Sequence, residues 1–374
     1  MPSDFPALPS YQQQRERFLI AANAANAHLI EYPHPLPGPF GELLATDVAI
    51  VGDPAAARRL FVLSGTHGIE GYYGSDNQIQ ALQHWATTPL PAGLAIVMVH
   101  LINPWGTAWM RRVNEHNIDL NRNYVDFSAA LPDNVAYADL HHIYSCTHLA
   151  GPARQAADAA LATQVERHGW SQVMGIVEAG QYRLPDGLFF GGVEPSWSNQ
   201  TLRRILALHL SGAEEVIGFD LHTGAGEYGH PMLLTVAEQA YAALPQAKAL
   251  FGPWLYTVLT GANRQSATGI AATATGYTSQ AMLEALPDVH LMQLVMECGT
   301  YPGEQVHTVL RDDQWLHLHG DPLDRTGRQI KLHLLEQFYP RDPDWRQLTA
   351  LRTWQVFQRA LGHLAGQRPS AEAR

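Results

Sequence analysis

The sequence predicts an α/β fold, a single domain with a central, mixed and largely parallel twisted sheet flanked by helices. Short apolar runs alternate along the chain with longer helical stretches, which is the pattern of an α/β protein. Several of these runs are almost continuous in Val, Ile, Leu and Met, as expected for strands that are covered on both faces. The expected strands span residues 45–51, 60–63, 94–100, 173–177, 216–221, 232–236 and 291–297.

The longer stretches between these runs predict helices. The first covers residues 10–31 and ends before the proline-rich segment 33–39. The others are expected at residues 75–85, 156–168, 199–210, 238–259 and 327–338. There is no internal repeat and no low-complexity linker, so we expect residues 1–374 to form one domain that ends in a frayed tail at 367–374.

Composition narrows the classes of partner. Of 374 residues, 46% are hydrophobic and 16% are charged, which is typical of a globular protein. The formal net charge of −11 repels phosphate backbones and anionic lipid heads, so we expect neither a nucleic-acid nor a membrane partner. The N-terminal residues lack the basic start and apolar run of a secretory signal, and no apolar run approaches the roughly 20 residues that a membrane span requires. These features predict a cytoplasmic protein.

Several kinds of chemistry are excluded by the absence of their motifs. Two cysteines, Cys146 and Cys298, are too few for a disulfide scaffold or a four-cysteine zinc knuckle, and we expect both to be buried thiols. The sequence has no Gly-x-Ser-x-Gly elbow, no phosphate-binding Gly-x-x-x-x-Gly-Lys-Ser/Thr loop and no His-Glu-x-x-His helix. Its 19 histidines, in contrast, direct attention to metal binding.

Four polar motifs follow predicted strands. In open α/β sheets, ligands bind beyond the carboxyl ends of the strands, so motifs that are distant in sequence can converge there. The motifs begin at or contain His67, Asn103, His222 and Glu297.

The first motif is His67-Gly-Ile-Glu70. The pattern His-x-x-Glu occurs three times, at residues 28–31, 67–70 and 333–336. The first and third occurrences lie in predicted helices and are expected to be ordinary helix residues. Only the second follows a strand among glycines, which permit tight turns and close approach of the backbone to a ligand. His67 and Glu70 are therefore candidate metal ligands, and a structural histidine in a turn is the alternative.

The second motif, Asp220-Leu-His222-Thr-Gly, ends a predicted strand. His222 would complete a set of two nitrogens and one carboxylate that leaves a position open for water. Asp220 would orient the imidazole or cover a neighbouring polar group, and a capped strand end is the alternative interpretation. The competing third ligands are His116, His141, His142 and His230. Two further histidines at 317 and 319 lie in an alternating segment, 316–319, that favours a surface strand.

The remaining motifs supply charged groups. Residues 103–106 are followed by Arg111 and Arg112 and then by the block 119–123, which would need no explanation in a solvated loop. Near a metal, however, an arginine can stabilise an oxyanion or hold a carboxylate in a bidentate pair. Glu297 ends an apolar run, where burial without a partner is costly, and it could accept a proton from water if it faces the metal.

Together the four motifs resemble the zinc carboxypeptidase superfamily typified by carboxypeptidase A, and in particular a bacterial branch of it. The family shows His-x-x-Glu, Asn-Pro-x-Gly, an arginine, an Asn-Arg pair, a lone histidine and a catalytic glutamate, in that order. The corresponding residues here are His67, Glu70, the segment 103–106, Arg112, Asn121, Arg122, His222 and Glu297. The resemblance covers residues 45–305, which we expect to form the core.

The resemblance implies one Zn²⁺ ion held by His67, Glu70 and His222. It also implies that Glu297 acts as general base and then acid, and that Arg112 stabilises the tetrahedral oxyanion. Asn121 and Arg122 would hold the C-terminal carboxylate of a peptide. Tyr277 corresponds to the family's mobile tyrosine, and an ordinary loop aromatic is the alternative.

The departures from the family pattern leave the substrate open. Trp105 replaces the usual acidic residue, residues 136–193 are expected to be an insertion that shapes the cleft, and residues 327–366 a helical extension. The form of the His222 motif is also similar to the aspartoacylase and succinylglutamate desuccinylase group, which cleaves N-acyl amino acids. We therefore expect either a metallocarboxypeptidase or an acylase, acting on a small peptide or an N-acyl amino acid. A non-catalytic zinc-binding protein is disfavoured by the presence of both Glu297 and Arg112. The sequence does not indicate an oligomeric state.

Overall fold

The structure is a computed structural model that describes residues 8–238, 242–260 and 274–366, with the backbone alone for residues 259 and 260. Its centre is one sheet of eight strands within these ranges. The strands are β1 (His28–Pro33), β2 (Ala45–Gly52), β3 (Arg58–Ser64), β4 (Leu94–His100), β5 (Glu215–Gly224), β6 (Pro231–Ala237), β7 (Leu255–Thr260) and β8 (His290–Gly299). The predicted tail 367–374 lies outside the described residues.

The order of the strands is β1-β2-β4-β3-β5-β8-β6-β7. The four central strands, β4, β3, β5 and β8, pair in parallel. β2 runs antiparallel to β4, and β6 runs antiparallel to β8. The edge strand β1 is antiparallel to β2, whereas the other edge strand, β7, is parallel to β6. The sheet is therefore mixed, with a parallel centre, as the sequence predicts.

Apolar side chains cover both faces of this sheet. All seven residues of β4 are buried, which is expected for a strand packed on both sides. Because successive side chains of a strand point to opposite faces, Leu60 and Val62 join one apolar cluster, while Phe61 and Leu63 join another. Helices close both faces, so the sheet forms the middle layer of an α/β domain.

Twelve α-helices lie in the described ranges. They are α1 (Tyr11–Ala24), α2 (Gly71–Trp85), α3 (Pro104–Ala108), α4 (Val135–Tyr144), α5 (Pro152–His168), α6 (Trp170–Glu178), α7 (Trp197–His209), α8 (Leu244–Phe251), α9 (Thr278–Ala285), α10 (Gly303–His319), α11 (Arg325–Phe338) and α12 (Pro343–Leu364). Across the part of the chain that the structure describes, none is long and apolar enough to cross a membrane.

Four predicted elements differ in the structure. Residues 173–177, predicted as a strand, belong to helix α6, because a short apolar run also suits one buried face of a helix. The first helix ends at Ala24, and residues 28–31 lie on the half-exposed edge strand β1. The predicted helix 238–259 is divided between α8 and β7. The alternating segment 316–319 is the end of helix α10 and not a surface strand.

Candidate metal centre

The loop after β3 carries the first two candidate ligands. Gly65 adopts a φ of 73°, a left-handed conformation that glycine takes without steric cost. A Cβ atom on Gly68 would overlap the backbone of Gly106. Gly106 itself is fixed because its amide donates to Oδ1 of Asn103, 2.9 Å away, at the start of helix α3. The glycines therefore let the His67 loop pack directly against the loop after β4.

Three ligand atoms converge between this loop and the end of β5. Nδ1 of His67 lies 2.8 Å from Oε1 of Glu70, and Nδ1 of His222 lies 2.9 Å from Oε2 of the same carboxylate. The two Nδ1 atoms are 3.2 Å apart. All three side chains are buried, and they form the one group of this kind in the described part of the chain that could hold a metal ion.

The outward nitrogen of each imidazole faces a buried carboxylate. Nε2 of His67 lies 3.3 Å from Asp119, and Nε2 of His222 lies 3.0 Å from Asp220. Carboxylates in this position commonly fix the tautomer and orientation of a metal-binding histidine. Asp220 also accepts hydrogen bonds from the hydroxyls of Thr66 and Thr278. It therefore faces the imidazole and also covers neighbouring polar groups, the two roles that the sequence suggested.

This donor set fits a zinc ion. Two imidazole nitrogens and a carboxylate, with space left for a further ligand, are the set that catalytic zinc sites use. Burial by itself raises the pKa of the Glu70 carboxyl, but the charges and hydrogen bonds of His67 and His222 outweigh it and hold that pKa well below its usual range. Glu70 is thus an anion that faces two nitrogens, which is the arrangement a divalent cation stabilises.

Glu297 lies beside the ligand set. It is paired with His222 in the register of β5 and β8, and its Oε1 accepts a hydrogen bond of 3.0 Å from the amide of Ala225. Burial, together with repulsion from the Glu70 carboxylate, raises the pKa of Glu297 to about 7. A carboxyl group with a pKa near neutrality can both accept and return a proton under ordinary conditions.

Arg112 and Arg111 point in different directions. Nε of Arg112 donates to Asp119 at 3.0 Å, and its Nη1 donates to Glu70 at 3.3 Å, so this guanidinium faces the ligand set. Arg111 instead is buried against Asp313, which it contacts at 3.0 Å. The structure therefore places Arg112, and not Arg111, at the candidate site.

Asn121, Arg122 and Tyr277 form the neighbouring wall. Oδ1 of Asn121 accepts a hydrogen bond of 3.1 Å from the backbone amide of Thr278, so within the described part of the chain its NH₂ group is available to donate to a ligand. Arg122 donates to the carbonyl oxygens of Glu178 and Asn121. Its guanidinium carbon lies 5.2 Å from the centre of the Tyr277 ring, which is within cation–π range.

A cavity of about 1020 Å³ joins all of these groups. The predicted site residues line it together: His67, Glu70, Arg112, Asn121, Arg122, His222, Tyr277 and Glu297. None of the four competing histidines lines it. His116 and His142 are exposed, His141 lies 3.3 Å from Asp186, and His230 lies 3.3 Å from the Tyr256 hydroxyl. The motifs at the strand ends, together with the family resemblance, therefore named residues that lie together in the structure, and their roles stay predictions.

Three further residues of the candidate site were missed. Asp119 stands within a motif that the sequence singled out, and its place beside the Asn121-Arg122 pair was the available signal. Glu178, which accepts a hydrogen bond of 2.8 Å from His307, comes from helix α6, which was predicted as a strand. Phe189 has no sequence signal at all. One cysteine also differs from expectation, because Cys146 is only partly buried, while Cys298 is buried.

Comparison with known sequences identifies a family. A profile described as "Protein of unknown function (DUF2817)" matches residues 8–352, so the chain belongs to that family. No curated protein sequence gives a significant match.

Comparison with solved structures identifies the fold. Bovine thrombin-activatable fibrinolysis inhibitor, in complex with tick carboxypeptidase inhibitor, is similar with a TM-score of 0.51 and 9% identity over 96% of this chain and 98% of its own. Carboxypeptidase A from Helicoverpa armigera follows at 0.47 and 12%, over 88% and 73% of the two chains. A succinylglutamate desuccinylase from Chromobacterium violaceum scores 0.37 at 14%, over 85% and 76%. The chain therefore shares its fold with thrombin-activatable fibrinolysis inhibitor, which confirms the predicted fold class.

Proposed function

We propose that this member of the DUF2817 family is a zinc-dependent hydrolase that cleaves an amide bond next to a carboxylate-bearing residue, as a metallocarboxypeptidase does. One observation carries the proposal. The ligand set of His67, Glu70 and His222 shares a single cavity with a titratable carboxyl, Glu297, and two guanidinium groups. A protein that only bound zinc would need neither the carboxyl nor the cations.

The ligand set would hold one Zn²⁺ ion through Nδ1 of both histidines and the carboxylate of Glu70. When bound, such an ion polarises a carbonyl oxygen and lowers the pKa of water. Glu297 would take the proton from the attacking water and then deliver it to the leaving amine. Arg112 would donate to the oxyanion that develops on the carbonyl oxygen.

The wall of the cavity formed by Asn121, Arg122 and Tyr277 would bind the substrate carboxylate. The NH₂ group of Asn121 and the remaining N–H groups of Arg122 can form charge-assisted hydrogen bonds with it. The Tyr277 ring packs beside Arg122 and would cover the bound residue. Such an arrangement positions the amide that adjoins a terminal carboxylate.

An acylase that acts on N-acyl amino acids is the second candidate. It is favoured by the Asp220-Leu-His222-Thr-Gly motif and by helix α6, from which Met174 and Glu178 line the cavity. That helix belongs to the predicted cleft-shaping insertion 136–193. A cavity bounded in this way suits a small substrate, and both reactions would use the same residues.

The test is a substrate panel with zinc-loaded protein whose metal content has been measured. The panel pairs N-blocked dipeptides with the same dipeptides amidated at the C-terminus, and adds N-acetyl and N-succinyl amino acids. We expect hydrolysis of the free-carboxylate dipeptides and much slower hydrolysis of the amides. Turnover of the N-acyl amino acids alone would replace the peptidase with the acylase. No turnover of any member, with zinc bound, would contradict the proposal.

A further inference from the structure

Phe189 contacts both arginines of the cavity. The guanidinium carbon of Arg112 lies 5.2 Å from the centre of the Phe189 ring, and that of Arg122 lies 5.7 Å from the same point. Both distances are within the range of cation–π attraction. The side chain is 6% exposed and lines the cavity. One ring therefore links the arginine beside the metal ligands to the arginine predicted to bind the carboxylate.

The backbone at Phe189 is held in an unfavourable conformation. Its φ is 53°, in the left-handed region that bulky residues rarely adopt, and such strain persists where the surroundings over-determine it. Here, backbone hydrogen bonds at Phe189 and at the next residue hold the chain in this conformation. The carbonyl of Phe189 accepts from the amide of Gln181 at 3.2 Å, and the carbonyl of Phe190 accepts from the amide of Asp119 at 2.8 Å. The chain thus fixes the ring against the segment that carries Asp119, Asn121 and Arg122.

The positively charged guanidinium groups of Arg112 and Arg122 repel each other in this cavity, and each is also held by its own hydrogen-bond acceptors. Arg112 is bonded to Asp119 and Glu70, and Arg122 to backbone carbonyls. An aromatic face offers negative potential to both cations without accepting a hydrogen bond from either. It can therefore hold the cations close together and leave their N–H groups free for a ligand. Phe189 also contacts the apolar cluster around helices α4 and α6, so its bulk alone would have a structural effect.

We propose that Phe189 is a positioning residue that fixes Arg112 and Arg122 relative to each other, so that one substrate engages both. This inference rests on the proposed function. The carbonyl oxygen of the scissile amide would reach Arg112 while the terminal carboxylate reaches Arg122. Phe189 itself touches neither the water nor the metal, and it acts through the two cations.

The experiment compares Phe189→Leu, Phe189→Tyr and a control, Phe251→Leu, with the unchanged enzyme. Phe251 is a buried core residue on α8 and does not line the cavity. We expect Phe189→Leu to lower kcat/KM for the free-carboxylate dipeptide about 10-fold, through a lower kcat and a higher KM. With the C-terminal amide, which has no carboxylate to pair with Arg122, kcat should fall and KM should change little. Phe189→Tyr keeps the aromatic face and should restore most of the activity, while Phe251→Leu should lower the melting temperature only.

Two results would overturn the inference. One is a Phe189→Leu enzyme that loses stability as Phe251→Leu does but keeps kcat and KM for the free-carboxylate dipeptide. The other is an equal loss of activity in Phe189→Tyr and Phe189→Leu. Calorimetric binding of an N-acetyl amino acid separates this inference from the proposed function. If the unchanged protein hydrolyses nothing, weaker binding in both Phe189→Leu and Arg122→Ala still supports the positioning role, and undiminished binding in Phe189→Leu rejects it.

Discussion

Two buried charged clusters lie on either side of the loop that carries Arg111 and Arg112, and they differ in what they need. In the first, the structural cluster, each oxygen of Asp313 has its own cation: Arg111 at one and Lys331 at the other. In the second, the metal-centre cluster of His67, Glu70 and His222, two ring nitrogens face each other at 3.2 Å across one carboxylate. In the structural cluster the carboxylate is neutralised by cations of the chain itself, whereas the metal-centre cluster is arranged to bind an added metal cation.

Because of this difference, we expect Arg111 to contribute to stability and its neighbour Arg112 to contribute to function. Arg111 joins α10 and α11 to the loop through Asp313, and Lys331 also donates to the carbonyl of Met110 at 3.2 Å. Arg112 turns to the cavity. Removing one partner of a buried ion pair leaves an uncompensated charge. Substitutions in the structural cluster should therefore lower the free energy of unfolding. Changes around the metal-centre cluster should affect zinc binding or turnover.

The largest expected effect is on turnover. Glu297→Gln removes the proposed base but keeps the size of the side chain, so kcat should fall by roughly 10²–10⁴ while the zinc content stays the same. Steady-state kinetics and metal analysis of the same sample would measure both. Glu166→Gln, at an exposed position on α5, is the matched control and should change neither. Full turnover by Glu297→Gln would remove this residue from the mechanism.

Asp313→Ala should produce the largest loss of stability. It leaves Arg111 and Lys331 buried without their shared anion, at a cost of about 3–5 kcal/mol in the free energy of unfolding. Urea denaturation would measure this change. The neighbouring Asp312, whose side chain is 26% exposed beside Arg154, is the control, and its replacement by Ala should cost under about 1 kcal/mol. Equal losses for both variants would end the distinction between the clusters.

A smaller effect is expected from Asp220→Asn. Loss of the carboxylate beside Nε2 of His222 should weaken zinc binding by about 10–100-fold. Competition with a zinc-binding dye would measure the dissociation constant, with Asp126→Asn on the exposed surface as control. If zinc affinity does not change, the role of Asp220 is limited to accepting the hydrogen bonds of Thr66 and Thr278.

The smallest effect is a dependence of stability on pH. Burial by itself raises the pKa of Asp313, but Lys331 and Arg111 outweigh it and hold that pKa below its usual value. The carboxylate therefore contributes stability at pH values above its unfolded pKa of about 4, and the contribution is lost as pH falls toward the folded pKa. Thermal unfolding between pH 6 and pH 3 should show a steeper decline for the unchanged protein than for Asp313→Asn. Parallel curves would contradict this assignment.

The sequence predicted those parts of the fold that depend on local pattern. The central strands were found because strands covered on both faces are continuous apolar runs, as in β4, which is buried throughout. The edge strands β1 and β7 were missed because a half-exposed or irregular edge lacks that pattern. Residues 173–177 were misassigned because a short run of four apolar residues and one glycine fits a strand as well as one face of a helix.

The residues of the candidate site likewise fall into those that local sequence pattern predicts and those that it does not. His67, Glu70, His222 and Glu297 stand where strands end, so the topology of a parallel sheet brings them together. Phe189 and Glu178 come from a segment outside the sheet, and their approach to the arginines depends on tertiary packing. Asp119 was visible in a motif, but its contact with His67 follows from a turn that no spacing rule describes.

The sequence separation within the metal-centre cluster has a consequence for how the protein is made. His222 follows His67 by 155 residues. A ribosome adds about 5–20 residues per second, so His67 and Glu70 are synthesised about 8 to 30 seconds before their partner. During that interval the nascent chain would hold only two of the three proposed zinc ligands, too few to form the complete site. On the proposed function, metal acquisition would therefore be a late step of biosynthesis that waits for β5 to pair with β3.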